Sequence, residues 1–329
     1  MTLAAAAPIA VEFASMRPDA EKRFVSEVCL PFLQAARNED GGWGFHTGSE
    51  SRVEATAWVV MVLREMKSRE DLWQAGCDFL RAMQLADGSW PSSPGQTVGS
   101  WTTSLACWAL MSNSGSKTAV AAGLRWMCAD WPRESGLIAR AIRRISAGKP
   151  IVTQNSSLHG WGWTPHTASW VEPTAFALIA LDQAAAEILP EGAPKRRRIA
   201  TSLLYDRMCP GGGWNCGNPM VYGVPGDPVV EPTAWALLAL RDEPNRGEIL
   251  MSLEWLGKNL ARIESAHSLS LARICWETYG RLWPAGVATL PELYARNDFL
   301  DSVPAMAWAC LALSAEKKLL FASRPEGNA

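Results

Sequence analysis

What the sequence lacks narrows the field before any motif is considered. No stretch of eighteen uninterrupted apolar residues occurs, so no transmembrane helix is expected. No alternation of apolar and polar residues persists along the chain, so strands are not expected either. Charge of one sign is missing: 31 Lys and Arg stand against 33 Asp and Glu, a net charge of −2 that gives no nucleic-acid-binding signal. The one basic run, Lys195-Arg196-Arg197-Arg198, reads as the solvated start of a helix. Histidine is scarce, and His46, His159, His166 and His267 show no metal-ligand spacing, so neither a metal nor a cofactor is expected. No P-loop, dinucleotide fingerprint, Gly-x-Ser-x-Gly or His-Glu-x-x-His is present. Met1–Ser15 has no basic region ahead of its apolar residues, so a signal peptide is not expected. Most of the eight cysteines (Cys29, Cys77, Cys107, Cys128, Cys275 and Cys310 among them) fall inside apolar helical patterns, as reduced core thiols of a cytoplasmic protein do.

What is present is tryptophan, 17 residues of it, together with a repeat. Val229-Val230-Glu231-Pro232-Thr233-Ala234-Trp235-Ala236-Leu237 recurs as Trp170-Val171-Glu172-Pro173-Thr174-Ala175-Phe176-Ala177-Leu178. Looser copies start at Arg52-Val53-Glu54-Ala55-Thr56-Ala57-Trp58, at Trp101-Thr102-Thr103 and at Ser302-Val303-Pro304. Self-similarity at such spacings marks a repeat architecture. Each copy is apolar on every side for about three turns, as a fully buried helix is. Proline after glutamate belongs at the first helical position, where a missing N–H costs nothing.

Between these copies lie amphipathic segments near 20–37, 70–84, 117–130, 194–208, 245–262 and 290–298. Four of them lead into Gly-Trp loops at Trp43, Trp90, Trp161 and Trp214. Residues 136–146 read as a basic helical insertion. Six apolar helices alternating with six amphipathic ones predict an all-α fold, an (α/α)6 toroid with an inner and an outer ring. One domain is expected over 21–318, after a loose leader at 1–20 and before a disordered tail at 319–329. The Gly-Trp loops all precede inner helices, so they and the glutamates should gather at one end of the ring.

Gly76-Cys77-Asp78-Phe79-Leu80 followed by Gln84-Leu85-Ala86-Asp87-Gly88-Ser89-Trp90 resembles the QW repeat of squalene–hopene cyclases. Asp40-Gly41-Gly42-Trp43-Gly44 and the Thr-Ala-Trp-Ala-Leu runs are similar to that family as well. The protein prenyltransferase β subunit is a related toroid with Gly-Gly-aromatic loops. The resemblance covers about residues 24–315 and implies the toroid fold and a hydrophobic isoprenoid ligand. Family cyclases protonate their substrate with an Asp-x-Asp-Asp-Thr-Ala motif; here Glu54, Glu172 and Glu231 stand in that slot and both flanking aspartates are missing. The prenyltransferase zinc site needs an Asp-x-Cys pair, which this sequence lacks.

The three glutamates are the candidate acids. A carboxylate at a helix N-terminus also serves the orphan N–H groups and the helix dipole there. A general acid must hold its proton near pH 7, against a reference pKa of about 4.3. The dipole opposes this by up to roughly 1 kcal/mol, whereas burial can lift a carboxyl by about 3–5 pH units. Burial therefore decides. Trp101, Trp163 and Trp170 are candidate substrate-lining residues, since an indole face stabilises a nearby cation by about 0.5–2 kcal/mol. Trp43, Trp90 and Trp214, at fixed repeat positions, read as structural. His166 is a candidate partner of Glu172. Asp298 and Asp301, ahead of the last inner helix, read either as N-caps or as substrate contacts.

Together these features predict a class II-type, terpenoid cyclase-like enzyme, cytoplasmic or peripheral to a membrane, that protonates an isoprenoid and steers the cation. A non-catalytic isoprenoid-binding toroid, or one subunit of a larger complex, is the alternative. A membrane surface and a protein partner stand as options beside the small-molecule ligand.

Overall fold

The computed structural model describes residues 19–67, 69–129, 154–221, 223–314 and 320–321. The basic piece at 136–146 and residues 1–18 of the expected leader lie outside them. Twelve α-helices alternate among the described residues. The inner set is α2 (Val53–Glu65), α4 (Thr102–Leu110), α6 (Val171–Gln183), α8 (Val230–Ala239), α10 (Ala266–Thr278) and α12 (Val303–Leu313). The outer set is α1 (Leu30–Ala35, entered through a π-helical turn at Val25–Cys29), α3 (Glu70–Ala82), α5 (Lys117–Ala129), α7 (Ala193–Asp206), α9 (Gly247–Asn259) and α11 (Leu290–Asn297). The strands Met220–Val221 and Val224–Pro225 form one short antiparallel hairpin. None of the described helices is long and apolar enough to cross a membrane.

Each inner helix packs on the next, and α12 packs on α2, so the inner ring closes. Outer helices α3, α5, α7, α9 and α11 each lie against the inner helix before them, and α1 lies against α12. The apolar composition of the inner set explains this. In α12 all eleven residues from Val303 to Leu313 are buried, whereas the outer helix α3 buries only one stripe that includes Leu72, Cys77 and Leu80.

From the sequence, Pro173 and Pro232 belong at the first helical position. The helices begin two residues earlier, at Val171 and Val230, after the extended residues Trp170 and Val229. Both prolines still lie in the first turn, where no intrahelical N–H is needed.

Gly-Trp loops fasten the ring at one end. The indole N–H groups of Trp43, Trp90 and Trp214 donate to the carbonyls of Leu33, Leu80 and Leu204 at 2.6–2.7 Å. That of Trp161 donates to Met127 O at 3.0 Å. The backbone N–H of each of these tryptophans donates to a threonine of the inner helix that follows: Thr56, Thr103, Thr174 and Thr233. Gly88, at φ +91°, lies so close to α5 that a Cβ there would fall 2.9 Å from Ala122 Cβ. The same loop is tied down by Gln84, which donates to Gly88 O and Ala119 O at 2.9 Å.

At the far end, Leu320 and Phe321 are buried, and the Phe321 ring meets Trp108 edge-on at 5.5 Å. The rest of the tail expected at 319–329 lies outside the described residues.

Candidate functional site

The threonine anchors set the register of the repeats. Two residues before Thr56, Thr174 and Thr233 stand Glu54, Glu172 and Glu231, and two residues before Thr103 stands Trp101. Because each threonine is pinned to its loop, these four side chains are held at one level of the rim. Glu54, Glu172 and Glu231 are all half-buried.

Electrostatics at this level favours protonated acids. Burial pushes Glu54 up to about 7. The Trp58 indole N–H offsets a small part of that, although it falls short of hydrogen-bond geometry. Burial first, then the charges of Glu231 and Glu54, push Glu172 up to about 7 as well. Glu231 Oε1 accepts a hydrogen bond of 2.7 Å from Ser268 Oγ. Next to it His267, stacked on Trp308 at 6.3 Å, is held below the ordinary imidazole range by burial.

One helical turn below the acids lies an aromatic floor. Trp58, Phe176 and Trp235 each follow a glutamate by four residues, so acid and ring share one face of their helix. Trp58 of α2 and Trp235 of α8, on opposite sides of the ring, stack at 5.6 Å with 19° between planes. Phe176 and Trp308 fill in at 4.8–5.8 Å. The axis of the ring is therefore filled at mid-height, because indoles long enough to reach it from opposite walls meet there. Above this floor stand the half-buried rim acids and, on the α4–α6 side, a wall of half-buried tryptophans: Trp101 stacks on Phe176 at 5.4 Å, Trp163 meets Trp101 edge-on at 4.9 Å, and Trp170 lies 6.5 Å from Trp163.

The sequence matches no known family model and no curated protein. Among solved structures, the chain is similar to a substituted form of the type II terpene cyclase MstE from Scytonema, in complex with its substrate geranylgeranyl dihydroxybenzoate. Identity there is 14% and the TM-score 0.54, over 89% of this chain and 79% of that one. A protein from Actinoplanes superposes with a TM-score of 0.53 at 18% identity, over 84% and 79% of the two chains. A reducing-end-xylose releasing exo-oligoxylanase does so with 0.52 at 10%, over 89% and 92%. The likeness is one of fold. The chain has the all-α toroid fold that these structures share.

Not every candidate gathers at the acidic rim. Asp301 accepts from Thr47 N at 3.0 Å and Thr47 Oγ1 at 2.7 Å, with His46 Nδ1 3.3 Å from its carbonyl. It thus ties the first loop to the last. Asp298 ends α11 in a left-handed conformation, and the N-cap of α12 is Ser302. His166, exposed and at φ 61°, belongs to the turn after Trp163. Among the described residues no group of three or more His, Cys, Asp or Glu could hold a metal ion. His267, Ser268 and the floor rings are the neighbours that sequence reasoning did not single out. The spacing of four between Glu and aromatic was the available signal for the floor.

Proposed function

We propose that the chain is a class II-type, terpenoid cyclase-like enzyme acting on an uncharged isoprenoid at the acidic rim. Glu172 and Glu54, each pushed up to about 7, are about half protonated at neutral pH, and one of them gives its proton to an alkene or oxygen function lying on the aromatic floor. The positive charge then moves along the chain past Trp101, Phe176 and Trp58, each face stabilising it by about 0.5–2 kcal/mol. Loss of a proton to the carboxylate ends the sequence and restores the acid, so the net change is an isomerisation. The observation that carries this reading is the pair of rim carboxyls pushed up to about 7 above a floor of stacked rings. Geranylgeraniol, which carries no charge, is the first substrate to try. Glu172→Gln should lower turnover by about 10²–10⁴-fold, the usual worth of a general acid, and leave the melting temperature close to wild type. Unchanged turnover removes the role.

The filled centre favours one second reading, a toroid that holds an isoprenoid without transforming it. Mass spectrometry of the retained ligand separates the two: recovery of unaltered substrate alone supports storage or transport.

A further inference from the structure

The six units differ at the rim. Residues 36–52, 83–101, 130–170 and 207–229 join outer to inner helices in the first four units, but only 260–265 and 298–302 do so in the last two. At the sixth unit the loop of the first closes the gap. His46 bridges to Ser302, and Val303 N–H donates to Phe45 O at 2.9 Å. At the fifth unit the gap stays open as a groove of about 350 Å³ between the starts of α8 and α10 and the end of α9. That size lies within the roughly 300–1,000 Å³ of small-molecule pockets.

Val229, Val230, Trp255 and Ile263 give the groove apolar sides, and Val229 is 48% exposed. Its inner end is Ser268, whose hydroxyl donates to Glu231 at 2.7 Å. The groove therefore reaches within one hydrogen bond of the rim acids. Arg262 and Glu264 lie at its mouth with opposite charges, which gives no net attraction for an ionic head group.

We propose that this groove, left by the rim loop that the fifth unit lacks, binds a linear, uncharged isoprenoid chain with its inner end at Glu231. The proposal rests on the acidic rim being the functional site. Geranylgeraniol carrying a photoactivatable diazirine on its terminal isoprene unit is the probe. Irradiation of the wild-type protein should label peptides covering 228–230 and 255–263, and labelling confined to other segments overturns the proposal. Val229→Trp fills the groove from an exposed position and should weaken geranylgeraniol binding about tenfold or more. Wild-type affinity in Val229→Trp, or no binding to the wild type, also overturns it. A chain that labels the groove and is recovered unchanged supports the groove and counts against the cyclase reading. Turnover that survives Val229→Trp does the reverse.

Discussion

Helix α6 carries an acid near each end, and the protein treats the two differently. Asp182, at the C-terminal end, is 5% exposed and packed against Arg197 and Arg241, the latter 3.7 Å away and itself 2% exposed. Glu172, at the N-terminal end, has no cation paired with it among the described residues; the charges that act on it are those of Glu231 and Glu54. A buried carboxylate beside guanidinium groups is satisfied as an ion, and its job is to keep the ends of α6, α7 and α8 together. A buried carboxyl among other acids is satisfied only by keeping its proton. The first arrangement belongs to structure and the second, which costs stability whenever the proton leaves, is what a site of proton transfer needs.

The sharpest way to break this comparison is at Asp182. Replacement by Ala leaves the Arg241 guanidinium buried without its carboxylate, a loss of about 3–5 kcal/mol for a pair broken from one side. Thermal unfolding should show a large fall in melting temperature at every pH between 5 and 8. A variant as stable as wild type would mean that Asp182 is no more structural than Glu172.

How far the sequence could foresee this contrast depends on the range of the signals involved. Wholly apolar runs such as 303–313 announced the inner helices, and the repeat around Glu172 and Glu231 announced the ring, because both are local patterns. The structural tryptophans were legible for the same reason: Trp43, Trp90 and Trp214 recur at one place in the unit. The floor was legible only in part. Spacing of four residues puts Glu231 and Trp235 on one face but says nothing of whether an indole from α8 meets one from α2 across the axis. Contacts between distant parts of the chain had no signal at all. The Thr47–Asp301 hydrogen bonds join residues 254 apart, and the burial of Phe321 depends on a tryptophan in α4. The open groove follows from the absence of a loop, and a missing stretch becomes meaningful only once the ring is closed around it.

The next largest effect lies at the other end of α6 and concerns pH. Glu54 and Glu172 have reference values of 4.5 and are pushed up to about 7 in the folded protein. The folded state thus binds more protons than the unfolded one between those values, so stability falls as pH rises. The contribution is complete below about pH 4.5 and is lost as pH climbs through 7. At about 1.4 kcal/mol for each pH unit separating the folded from the unfolded value, discounted because both groups are only half-buried, the loss is on the order of 2 kcal/mol for each acid. The Glu54→Gln, Glu172→Gln double variant should show a flatter melting temperature between pH 5 and 8 and exceed wild type at pH 8. Parallel profiles for the two proteins would mean that the rim acids are ordinary solvated carboxylates.

The smallest effect on stability tests the comparison from within, by giving Glu172 the kind of partner that Asp182 already has. Cys216 is exposed, its carbonyl accepts from Val171 N at 3.3 Å, and its thiol is held above the ordinary range by burial and then by the Glu172 charge. Cys216→Lys would therefore bring an ammonium to the rim beside that carboxyl. An opposite charge within about 4–6 Å lowers a carboxyl by about 1–3 pH units, enough to return Glu172 toward the usual range. By linkage, lowering Glu172 from about 7 by one pH unit should raise stability at neutral pH by about 1 kcal/mol. The part of the pH dependence that belongs to Glu172 should shrink, while that of Glu54 persists. Isoprenoid turnover at neutral pH should drop alongside it, because the acid has given up its proton before the substrate arrives. If the pH profile flattens and turnover holds, Glu172 is coupled to stability without being the donor, and Glu54 inherits that role.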